Sequence, residues 1–304
     1  MLTSEDEAAA EAILDKRKLQ SLGVLLPIRL SALSFFSGRH PLGRAGEGMR
    51  FLRTRPFESG QDNPRDIDKF SPPGEYRINE WEAEAQAAVM IYADVSASMQ
   101  FGPKAALLQL TLLQLTYSLW RASDRIRTTL YHAAEQKLVA KRNLRGQLEH
   151  LTVELNHGGL QAGRNAVDVL TAHAGIRQSV RDDLLFLVSD FCPTAADSAV
   201  DDVSDWRSVI RTLSCDVVPI TISFELPAGQ RGAIRLWDAE RCQHRLTLLT
   251  SSRIAAINAA ERARVEMLQV LFRRLGLDHL VLRRELDVYP ELAKLARWRR
   301  RRRN

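Results

Sequence analysis

Two short apolar runs, each ending in a carboxylate, constrain this chain more than any other feature. The first is Ala87-Ala88-Val89-Met90-Ile91-Tyr92-Ala93, followed at once by Asp94-Val95-Ser96-Ala97-Ser98. The second is Leu184-Leu185-Phe186-Leu187-Val188, followed by Ser189-Asp190. Runs this apolar and this short suit strands buried on both faces of a parallel sheet. Gly102-Pro103 and a helical pattern over residues 105–120 follow the first run, and Pro103 is placed as a first helical residue. Asp94, Ser96 and Ser98 therefore occupy a strand-to-helix turn at the carboxyl end of a strand, where open α/β sheets bind ligands. Three small oxygen ligands at alternating positions suit a hard cation, Mg²⁺ or Mn²⁺. Ser96 and Ser98 are also good helix N-caps, so a capping role stands beside the metal role. If the two strands are parallel near neighbours, Asp94 and Asp190 meet at one rim of the sheet. Two carboxylates there repel unless they are hydrated, protonated or bridged by a cation.

The rest of the chain alternates strand and helix patterns. Helices are expected over residues 4–26, 105–120, 144–155, 163–174, 195–213, 253–275 and 289–298. Strands are expected over 126–132, 136–140, 216–224 and 279–283. Pro219 weakens the third of these and belongs at a strand start or edge. Residues 37–48 read as a loop, and residues 49–57 alternate as a half-exposed strand does. The expected fold class is α/β, a doubly wound, mostly parallel sheet with a small β-rich accessory unit drawn from residues 49–84 and 232–250. The expected division is a helical lead (1–37), a leading segment in the accessory unit (38–86), an α/β domain (87–298) with a hairpin insertion at 225–251, and a basic tail (299–304).

Composition narrows the function classes. At 304 residues and 45% hydrophobic content the chain can bury a sizeable core. No apolar stretch reaches membrane-spanning length, because Pro27 and Arg29 break the best candidate. The first residues are acidic where a signal peptide is basic, so a cytoplasmic location is expected. Cys192, Cys215 and Cys242 are widely spaced and odd in number, which suits reduced thiols. The net charge of +6 equals the contribution of six arginines, Arg297 and Arg299 to Arg303, so the remainder is formally neutral. That tail can touch a polyanion, yet a neutral body offers no nucleic-acid footprint. It is expected to be a frayed terminus dispensable for folding, with Trp298 as its only anchor.

The segment Gly43-Arg44-Ala45-Gly46-Glu47-Gly48-Met49-Arg50-Phe51 leads into Arg55-Pro56-Phe57-Glu58-Ser59-Gly60-Gln61-Asp62-Asn63-Pro64-Arg65-Asp66-Ile67-Asp68. With Asp94 to Gly102 and Leu187 to Phe191, it resembles the bacterial family known as domain of unknown function fifty-eight, a branch of the von Willebrand factor A-like proteins. The resemblance covers residues 38–300. It implies a metal-ion-dependent adhesion site in which Asp94, Ser96 and Ser98 are metal ligands and Asp190 is the aspartate after the later strand. A threonine completes such sites; Leu160 stands at the matching place and cannot ligate, which leaves Gln161 or water. Lys69 replaces the family tryptophan after R-x-I-D. The resemblance also implies a partnership with a MoxR-type AAA+ ATPase and a client protein in assembly or maturation.

Three functions follow from this reading. The first is a non-enzymatic interaction module that grips a partner carboxylate through a cation at the Asp94 rim. The second is a metal-dependent hydrolase using Asp94 and Asp190; the sequence holds no P-loop, no G-x-S-x-G and no metal-spaced histidine pair for it. The third is polyanion binding through the arginine tail. The first is the expected one.

Overall fold

The computed structural model describes residues 37–46, 51–85, 87–121, 125–132, 135–139, 143–157, 184–192, 202–213, 215–229, 232–238 and 243–303. The expected helices over 4–26 and 163–174, together with Leu160, Gln161 and Cys242, lie outside these residues. Strands β1 (Ser37–Ala45), β2 (Phe51–Pro56) and β3 (Arg77–Ala85) form an antiparallel sheet in the order β1-β3-β2. The central sheet takes β4 (Ala88–Asp94), β5 (Arg125–His132), β6 (Glu135–Val139), β7 (Leu184–Ser189) and β8 (Asp216–Ile222). A separate antiparallel pair, β9 (Gly232–Asp238) and β10 (Gln243–Leu249), follows, and β11 (Leu280–Leu282) returns to the central sheet. The helices are α1 (Lys104–Arg121), α2 (Leu144–His157), α3 (Asp202–Thr212), α4 (Ser251–Arg274) and α5 (Val288–Arg303).

The central order is β11-β8-β7-β4-β5-β6. Every neighbouring pair is parallel except β5 with β6. The chain leaves β4 toward β5 on one side, and β7 returns on the other. The β4–β7 boundary is therefore the topological switch point, where a crevice opens at the carboxyl ends of the strands. This is the doubly wound, mostly parallel α/β architecture expected from the apolar runs. β4 and β7 are buried at every residue, which is why their sequences do not alternate.

The strand period still sorts their side chains between two cores. Val89, Ile91 and Ala93 face the leucines of α1, with α2 and α5 on the same side. Met90 and Tyr92 face Trp206 of α3 and Phe272 of α4. α1 packs between α2 and α5, which explains its apolar character almost all round.

Several expectations change. Residues 37–45 are a strand, not a loop; their pairing with β3 carries two register shifts, so glycine and proline sit where the ladder is irregular. The accessory segments form two separate sheets. β8 is an internal strand despite Pro219. Pro219 pairs with Leu187 on one side, while pairing with β11 begins only at Ile220, so the proline occupies a locally one-sided stretch. The largest correction concerns the tail. α5 runs without a break to Arg303, and Arg299 is 6% exposed. Its guanidinium pairs with Asp216, at the start of β8, and with Asp278, just before β11, at 2.9 Å for the latter. The tail is therefore docked on the amino edge of the sheet, through a residue that looked like one more member of a solvated charge run.

Candidate rim site

β4 ends where the backbone N–H of Val95 bonds the Tyr131 carbonyl of β5. A short 3-10 turn, Ala97–Gln100, then carries the chain toward α1. Ser96 holds the N-cap position of that turn, but its side chain makes no capping bond. The Ser96 and Ser98 hydroxyls instead lie 3.2 Å apart. The capping reading thus fails for Ser96. Gly102 closes the turn at φ 58°, a left-handed conformation that favours glycine, and a Cβ there would sit 3.1 Å from the Phe224 ring, a tight approach to which the ring would have to yield.

Asp94 and Asp190 are 5% and 1% exposed, and they lie close enough for their charges to interact. One Asp94 oxygen accepts from the backbone N–H of Ser96 at 2.9 Å, and the other from the Ser189 hydroxyl at 2.7 Å. Asp190 accepts from the Lys104 ammonium at 2.8 Å and from the Cys192 backbone N–H at 3.1 Å. The structure brings all four expected residues to one rim and adds Lys104 and Ser189. It also adds Arg264 of α4, which donates to the Asp190 carbonyl while pairing with Glu261. Glu261 in turn accepts from Ser223 at 2.7 Å.

The loop after β7 depends on an uncommon conformation. Phe191 has φ 55°, a left-handed geometry that bulky side chains rarely adopt. Its ring is buried against Trp206 and Phe272, with centroids 4.8 and 5.4 Å away, and its N–H bonds the Ser189 hydroxyl. Packing holds the turn that brings the Cys192 N–H onto Asp190.

The two carboxylates titrate apart. Burial, and then the charge of Asp190, push Asp94 up to about 6. Burial alone would raise Asp190 too, but the charge and hydrogen bond of Lys104 hold it below the ordinary carboxylate value. Burial and the neighbouring Asp190 push the Cys192 thiol up to about 12, so it is a thiol and not a thiolate nucleophile.

This donor set fits a hard cation in one arrangement. Among the described residues no basic side chain pairs with Asp94, whose partners are the Ser96 N–H and the Ser189 hydroxyl, and the Ser96 and Ser98 hydroxyls belong to the same turn. Asp190 is committed to Lys104. Among the described residues no group of three or more His, Cys, Asp or Glu is placed to hold a metal. Asp94, Ser96 and Ser98 are thus the residues that would hold an ion, completed by water.

Sequence reasoning missed Lys104, Ser189 and Arg264. A lone lysine at the head of an apolar helix, and the serine beside Asp190, were the available signals for the first two. Arg264 is one of many basic residues along α4, and nothing in its sequence context marks it.

The family described as "Protein of unknown function DUF58" matches residues 53–266. No curated protein matches the chain in sequence. Solved structures similar to it include the conserved hypothetical protein BatB from Bacteroides thetaiotaomicron, at 11% identity and TM-score 0.37, covering 69% of this chain and 98% of that one. The pilus adhesin SpaC from Lactobacillus rhamnosus GG, in its open conformation, is similar at 11% identity and TM-score 0.42; the match spans 71% of this chain and 30% of the adhesin. The manganese-loaded TRAP protein of Plasmodium vivax is similar at 17% identity and TM-score 0.31, covering 44% of this chain and 57% of that one.

Proposed function

The chain belongs to the DUF58 family, and from that premise we propose that it is a non-enzymatic protein-interaction module whose docking site is the Asp94 rim. The observation that carries this reading is the division of charge at the switch point. Lys104 neutralises Asp190, while Asp94 stays buried beside the hydroxyls of Ser96, which makes no capping bond, and Ser98. Such an arrangement is unfavourable in isolation and is relieved by a bound cation. Magnesium or manganese held by Asp94, Ser96 and Ser98 would supply an open coordination position for a carboxylate of a partner protein. Ser189 orients the Asp94 carboxylate through its second oxygen. Gly102 lets Phe101 and Phe224 form an aromatic lip, with ring centroids 6.2 Å apart.

Turnover of its own is not proposed. Cys192 is protonated, and among the described residues the hydrogen-bonded neighbours of Asp94 and Asp190 include no histidine to shuttle a proton. Polyanion binding by the tail loses one of its six arginines to the Asp216 and Asp278 pairs. No described helix is long and apolar enough to cross a membrane. A cytoplasmic adaptor that presents a client to a MoxR-type AAA+ ATPase is the form of the proposal that the family resemblance favours.

Co-purification with the ATPase tests it. Recovery is expected from the parent, and loss from Asp94→Ala and from EDTA-treated protein. Equal recovery in all three would reject the rim as the docking surface, and hydrolysis of phosphate esters or nucleotides by the isolated chain would reject the adaptor reading.

A further inference from the structure

We propose that Lys104 sets how the rim handles cations: its ammonium holds Asp190 as a private counter-ion, so a divalent ion is taken up weakly and exchangeably through Asp94, Ser96 and Ser98 alone. The inference rests on the rim being a ligand site, as proposed above, and concerns which ligand it takes without a partner.

Lys104 is the first residue of α1 and is 8% exposed. Lysines are seldom buried so deeply unless paired. Its ammonium lies 2.8 Å from Asp190 and 3.5 Å from the Ser98 carbonyl, so one side chain ties the turn after β4 to the loop after β7. The next α1 residues along the same face, Leu107 and Leu108, are in the core, which directs the charge of Lys104 toward the rim instead of solvent. Two consequences follow. Asp190 has its positive charge supplied within the chain and is not free to ligate. Any ion beside Asp94 also has a fixed ammonium for a neighbour, and like charges a few ångströms apart in a water-poor crevice repel strongly. A rim of this kind keeps its shape with or without a divalent ion, and gains the ion mainly when a partner adds a further negative ligand.

The test uses the purified full chain and Mn²⁺ alone, with free Mn²⁺ followed by electron paramagnetic resonance and binding by calorimetry. The parent is expected to bind with a Kd on the order of millimolar. Lys104→Met should bind at least about tenfold more tightly, because a repelling charge is gone and Asp190 is released. Lys104→Arg, which keeps the charge, should stay as weak as the parent. Adding Asp190→Asn to Lys104→Met should return most of the gain. Lys104→Gln, which keeps a hydrogen-bond donor for Asp190 without the charge, serves if Lys104→Met loses its native circular dichroism, and it should also tighten binding. Unchanged or weaker Mn²⁺ binding in the charge-free variants, or micromolar binding by the parent, would overturn the proposal. Failure of Asp94→Ala to lose the partner would leave these titrations intact and count against the docking surface alone.

Discussion

Asp94 carries the sharpest residue-scale consequence. Its carboxyl is pushed up from the usual 3.8 to about 6 in the folded chain, so the folded state binds its proton more tightly than the unfolded state does. The associated stability is complete below pH 3.8 and is lost as pH rises through about 6, on the order of 3 kcal/mol by neutrality. Asp190 has the opposite sign. Its carboxyl is held low by Lys104, so its contribution is present at neutral pH and is lost only in acid. Thermal denaturation across pH 4 to 8 in chelator should therefore show Asp94→Asn melting near the parent at the acid end and above it at the alkaline end. A parent that outmelts Asp94→Asn at neutral pH without a divalent ion would contradict this charge assignment. Phe191 is the other residue-scale test. Phe191→Ala should destabilise the chain by about 3 kcal/mol in denaturant titrations, because two ring contacts are lost and the left-handed strain remains.

At the scale of elements, legibility followed burial. β4, β7 and α1 were readable because each is enclosed, so composition alone reports its environment. β1 was not, because its ladder is irregular and its sequence carries the turn residues of a loop. The final helix was read five residues short at its carboxyl end because of its charge: six arginines resemble a solvated run, and the inward turn of Arg299 depends on Asp216 and Asp278, far away in sequence. The docked helix end makes a definite prediction. Arg299→Ala should cost about 3 kcal/mol, since it removes the guanidinium that two partly buried aspartates share, whereas Arg297→Ala, at an exposed position, should change little. Equal melting temperatures for both variants would show that the tail does not brace the sheet.

For the whole molecule, the doubly wound order matters more than any single ligand. It places the ends of β4 and β7 side by side, and so converts two carboxylates 96 residues apart in sequence into one rim. The four rim residues were legible because each follows a buried run. The charge division among them was not, because it depends on how a lysine at the head of one helix reaches the loop of another strand. The central claim is that a partner protein docks at this rim. Photo-crosslinking in cells tests it most directly, with a photoreactive residue placed either at Phe101, 46% exposed on the aromatic lip, or at Trp298, 48% exposed beside the docked end of α5 at the opposite edge of the sheet. Crosslinks to the ATPase or its client are predicted from position 101, silence from position 298, and loss of the position 101 crosslinks when Asp94→Ala is added; strong crosslinks from position 298 with none from position 101, or crosslinks at 101 indifferent to Asp94→Ala, would contradict the account.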